Sequence, residues 1–80
     1  MDYNNMQRYA NLGGDSGVVG YVEDGTAIAV QFRDRSIYLY NAAAPGPHAV
    51  STMIQLAHRG EGLNSYISRY VNKNYASRLR

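Results

Sequence analysis

The chain of 80 residues contains no cysteine and no tryptophan, and it has only two prolines and two histidines. Without cysteine it has neither a disulfide framework nor a thiolate zinc site to supplement a small core, and the expected compartment is the cytoplasm. The first fourteen residues hold no apolar stretch fit for a signal segment or a membrane span. Charge is sparse at 18% Asp, Glu, Lys and Arg. Glycine-rich phosphate loops ending in Gly-Lys-Ser or Gly-Lys-Thr are missing, as is the dinucleotide glycine fingerprint. No cofactor follows from the sequence.

The charges present are unevenly distributed. Before Arg59, Arg8, Arg33 and Arg35 face Asp2, Asp15, Glu23, Asp24 and Asp34; from Arg59 onward, Arg59, Arg69, Lys73, Arg78 and Arg80 face Glu61 alone. A basic second half suits either a solvated helix face with a basic tail or a surface that attracts a polyanion.

Three short β-favouring runs, 17–22, 27–32 and 36–40, are separated by the polar connections 23–26 and 33–35. Connections that short make an antiparallel meander, because parallel strands need longer crossovers. Gly46-Pro47 then suits the opening of a helix, Val50, Met53, Ile54 and Ala57 recur at helical spacing, and Gly60 can end the helix in the left-handed conformation. Leu63, Tyr66, Ile67, Tyr70 and Val71 mark a second helix as its apolar stripe, so both tyrosines are expected in the core. The sequence therefore predicts an α+β domain, a three-stranded antiparallel β meander followed by two α-helices with at least one packed on the sheet. Residues 1–15 are read as a mobile or loosely docked leader, 16–76 as a single domain and 77–80 as a basic tail.

Catalytic patterns are weak. Gly14-Asp15-Ser16-Gly17 imitates the surroundings of a nucleophilic serine, but the only bases are His48 and His58, in a chain too small for the two barrels such enzymes use. The two histidines lack companions at metal-ligand spacing, and adjacent Glu23 and Asp24 point to opposite faces of an extended chain. No catalytic residue and no metal ligand is expected.

Tyr38-Leu39-Tyr40 stands out because alternation sends both tyrosines to one face of a strand. With Ile28, Val30 and Phe32 sharing a buried face with Ile37 and Leu39, the two rings fall beside Ala27, Ala29 and Gln31 on an open shelf. Base stacking on such rings is worth about 1 to 3 kcal/mol each. A helix on that side would instead make both rings core.

These residues resemble the KTSC domain, a short module found at the C-terminus of some lysyl-tRNA synthetases and also as a stand-alone bacterial protein. The resemblance runs from about Ser16 to Tyr75. It comprises Ser16 leading into Tyr21, the strand ending in Phe32, the Tyr38-Leu39-Tyr40 that is similar to the family's Tyr-any-Tyr signature, and Gly62-Leu63-Asn64-Ser65-Tyr66-Ile67 before Tyr75. It implies a free-standing relative with an RNA-binding role of the kind suggested for the family, whose biochemical function is not established, and it implies no catalytic residues. Where members often have Gly before the central tyrosines, this chain has Arg33-Asp34-Arg35, which brings two arginines toward the rings.

The leading expectation is a non-catalytic module for single-stranded or structured RNA, with Tyr38 and Tyr40 stacking bases and Arg33, Arg35, Arg69 and Lys73 meeting phosphates. The alternative is a protein-interaction or accessory module without a nucleic-acid ligand, using an exposed strand edge and the apolar surface of Ala42, Ala43 and Ala44. No membrane partner is expected, and the oligomeric state is left open.

Overall fold

The β-branched and aromatic runs of the sequence become the three central strands of a computed structural model that describes residues 3, 5–14 and 16–80. These are β2 (Val18–Glu23), β3 (Ile28–Phe32) and β4 (Ile37–Tyr40). Asp24 closes the first hairpin, its Oδ1 accepting from the backbone N–H groups of Thr26 and Ala27 and from the Thr26 hydroxyl, each at 2.9 Å. The second closes around Arg35, which adopts φ 72° while Phe32 N–H donates to the Ser36 carbonyl at 2.9 Å.

The sheet is larger than the meander. Residues of the presumed leader and tail add β1 (Gln7–Arg8) and β5 (Ser77–Arg78), giving five antiparallel strands in the order β1-β2-β3-β4-β5. Two-residue strands carry no periodicity to read; they form because open edges offer unpaired backbone groups. Tyr9 N–H donates to the Val19 carbonyl at 3.0 Å, and Ala76 N–H to that of Leu39 at 2.8 Å. Leu12 N–H also donates to the Gly60 carbonyl at 2.8 Å, and Ile37 N–H to that of Arg80 at 3.1 Å. The meander edges on which a protein partner was expected to pair are covered in part: Gln7 and Arg8 pair with Tyr21 and Gly20, and Arg78 and Ser77 with Tyr38 and Leu39.

Helix α1 (Pro47–Arg59) starts with Pro in its first turn and ends at Gly60, whose φ of 78° is left-handed. Its buried residues Val50, Met53 and Ala57 face the sheet side carrying Tyr21, Ile28, Val30 and Tyr40. Helix α2 (Leu63–Tyr66) runs directly into a π-helical segment (Ile67–Val71). The widened turn buries Leu63, Ile67 and Val71, every fourth residue, and turns Tyr70 out to 71% exposure. The expectation that Tyr70 is core is therefore corrected; Tyr66 remains partly buried with its ring centroid 5.2 Å from that of Tyr70. Tyr9, 3% exposed, ties the N-terminal segment down: its hydroxyl oxygen accepts the Leu63 N–H at 3.2 Å. Among the described residues no helix is long and apolar enough to cross a membrane.

Candidate nucleic-acid interface

Register decides where the two central tyrosines point. In the β3–β4 ladder Ile28 pairs with Tyr40 and Val30 with Tyr38, while Ala29 pairs with Leu39 and Gln31 with Ile37. Residues directly opposite share a face, so the tyrosines stand with Ile28 and Val30, beneath the helices, and not with the alanines. The open shelf is corrected. Tyr40 is 1% exposed and is core; it offers no face on which a base can stack. Burial, then the neighbouring phenols of Tyr38 and Tyr75, pushes its hydroxyl up to about 12.

Tyr38 differs in staying partly exposed. A cleft of about 510 Å³ opens there, walled by Phe32, Tyr38 and Tyr75, with Tyr40 and Ile67 behind and Asp34, Ser36, Asn72 and Lys73 supplying polar groups. The Tyr38 ring centroid is 4.6 Å from that of Tyr75 at 50° and 5.8 Å from that of Phe32 at 71°; Tyr40 meets Tyr75 edge-on at 6.5 Å. Arg78, carried opposite Tyr38 by the β4–β5 register, places its guanidinium carbon 5.5 Å from the Tyr38 centroid, a cation–π distance.

The polar side of the cleft is equally local. Asp34 Oδ1 accepts from both the backbone N–H and the hydroxyl of Ser36. The Ser36 hydroxyl bond, the Ser36 N–H bond and the nearby Arg78 charge hold the Asp34 carboxyl below the usual carboxylate range, so it is ionised at neutral pH. Asn72 adopts a left-handed φ of 52° as the π segment ends, which turns the chain into the cleft wall at Lys73. π-Helical turns recur at functional sites.

Of the sequence-based site residues, Tyr38 and Lys73 line this cleft with buried Tyr40 behind them, and Arg33 and Arg35 flank Asp34 in the turn, both exposed. Arg69 is exposed on the π segment and does not line the cleft. Tyr75 and Arg78 were missed as site residues. Neither belongs to a periodic run, and only the pairing of β5 with β4 brings Arg78 to Tyr38.

The weaker motifs take ordinary positions. Ser16 Oγ accepts the Val18 N–H at 3.0 Å and lines a separate pocket of about 330 Å³ with Tyr9, Asn11, Asn64 and Glu61, to which neither histidine contributes. Asp15 lies outside the described residues. His58 Nε2 meets Glu23 Oε2 at 2.7 Å, pinning the end of α1 to β2 beside the Tyr21 ring. No group of three or more potential metal-ligating side chains occurs among the described residues. Ala42 and Ala43 are exposed in a loop tightened by Asn41 Oδ1, which accepts from the Ala43 N–H at 3.0 Å. Comparison with protein-family models, curated proteins and solved structures finds no match to the chain.

Proposed function

We propose that this protein is a non-catalytic RNA-binding module that holds an unpaired nucleotide in the cleft between the turn after β3, β4 and the end of the π segment. The observation that carries the reading is one cleft that joins the partly exposed Tyr38 and Tyr75 rings to Lys73, with the Arg78 guanidinium 5.5 Å from the Tyr38 centroid. Single-stranded RNA is held in this way, by stacking of splayed bases on aromatic side chains and by cations that follow the backbone. Of the two tyrosines that the sequence suggests, the reading keeps Tyr38, replaces Tyr40 by Tyr75, and makes Lys73, Arg78, Arg33 and Arg35 the phosphate contacts. The resemblance to the KTSC domain points toward the same class of ligand.

Titration of the 15N-labelled protein with short single-stranded RNA, at two salt concentrations, tests the reading. Shifts should concentrate at residues 32–38 and 72–78 and shrink at the higher salt, because released counterions drive phosphate binding. An unchanged spectrum at low salt would rule the function out. The protein-interaction reading gains less support, since β1 and β5 cover part of the meander edges.

A further inference from the structure

The cleft contains one group that a phosphate-binding surface does not call for. The Asp34 carboxylate is ionised and exposed; it lines the cleft with Lys73, stands between Arg33 and Arg35 in the chain and feels the Arg78 charge. Its Oδ1 is engaged twice by Ser36, which fixes its orientation, while Oδ2 has no hydrogen-bond partner among the described residues. A phosphodiester placed against Oδ2 would be repelled. The complement of this atom is an N–H donor, and in an RNA the donors sit on base edges and ribose hydroxyls.

Resting on the RNA-binding reading above, we infer that Asp34 makes the cleft selective for guanine. A base held against Tyr38 and Tyr75 presents its Watson–Crick edge to the polar margin. Guanine offers N1–H and N2–H side by side, two donors for the lone pairs of Oδ2. Adenine and cytosine each pair one amino donor with a ring nitrogen whose lone pair faces the carboxylate, and uracil sets its single N–H between two carbonyls. The ionised carboxylate opposes all three. The Ser36 bonds keep the side chain from swinging to Lys73 or Arg78, so its selectivity is built in before ligand arrives.

Fluorescence anisotropy with labelled uridine pentamers carrying guanine, inosine or adenine at the centre is the test, using the full chain at low salt. A two-donor contact to a base should favour guanine over adenine by roughly tenfold or more, with inosine, which keeps only N1–H, in between. The Asp34→Asn variant keeps an oxygen for Ser36 and so preserves the turn; it should reduce the guanine preference to within about threefold while binding to the adenine pentamer holds or improves. Equal affinity for the guanine and adenine pentamers, with binding intact, overturns the selectivity and leaves RNA binding standing. Failure of every pentamer to bind overturns the RNA reading itself. Because inosine tests the same contact in the unaltered protein, the outcome does not depend on the variant's folding.

Discussion

The rings of Tyr38 and Tyr75 meet with centroids 4.6 Å apart, so a strand residue and a residue beyond the last helical turn form one wall of the cleft. Removing the outer ring removes half of that wall. Tyr75→Ala should weaken RNA binding by an amount equivalent to about 1 to 3 kcal/mol of lost stacking. Because Tyr75 is only partly buried, the domain should stay folded, which circular dichroism checks alongside the binding isotherm. Tyr70→Ala is the control: that ring is 71% exposed and away from the cleft, so both affinity and melting temperature should hold.

Lys73 lines the same cleft as a flexible point charge. Lys73→Gln should weaken binding to guanine and adenine pentamers alike and lower the slope of log affinity against log salt by about 1, the signature of one lost phosphate contact. A change in base preference without a change in slope would place Lys73 on the base instead. Arg69→Gln, altering an exposed residue outside the cleft, should change the slope much less.

Tyr40 gives the fold a defined alkaline limit. Its folded hydroxyl is pushed up to about 12 from an ordinary 10.0, chiefly by burial. Below that ordinary value the phenol is neutral in both folded and unfolded chains, and the stabilisation is fully present. Between the two values only the unfolded chain loses the proton, so stability falls as pH rises, by roughly 1.4 kcal/mol per pH unit from this group. Tyr40→Phe keeps the buried ring and should flatten the fall of urea midpoint with pH across that window. Tyr21, also raised mainly by burial and then by Glu23, leaves a residual slope of the same sign.

Much of the fold was legible in local pattern. The meander was readable because alternating bulky residues and two short polar connections leave few alternatives, and α1 because Pro47 and Gly60 mark its ends. Register was not legible. Ile28-Ala29-Val30 and Tyr38-Leu39-Tyr40 each alternate cleanly, but alternation within two strands does not say which face of one joins which face of the other. The turn at Arg35 settles it, pairing Val30 with Tyr38 and sending the tyrosines inward. The cleft was half visible for the same reason. Tyr38 and Lys73 stood out as residue types, whereas Tyr75 and Arg78 become neighbours of Tyr38 only through a two-residue strand, an element too short to leave a pattern.

Tyr9 connects the N-terminal segment to the second helix, accepting the Leu63 N–H in the core at 3.2 Å. Tyr9→Phe preserves the ring and removes the acceptor, leaving a buried backbone donor unsatisfied at a cost of about 1 to 3 kcal/mol. Hydrogen exchange at the Leu63 amide should accelerate accordingly. Loss of stability with no change in Leu63 exchange would mean that the hydroxyl acts elsewhere.

Gly60 has two separate reasons to be glycine, and they make different predictions. Its φ of 78° is costly for any residue with a Cβ, and an added Cβ would stand 2.5 Å from the Ala10 Cβ. The first cost is local, about 1 kcal/mol for placing alanine in a left-handed position. The second acts at a distance, because Ala10 lies between buried Tyr9 and Leu12, whose N–H donates to the Gly60 carbonyl at 2.8 Å. Gly60→Ala should therefore lower the melting temperature and also release residues 7–12, read as faster amide exchange at Tyr9 and Leu12. Pairing it with Ala10→Gly separates the two effects: the second glycine opens space for the new methyl and should restore N-terminal protection, while the left-handed strain and its share of the destabilisation remain.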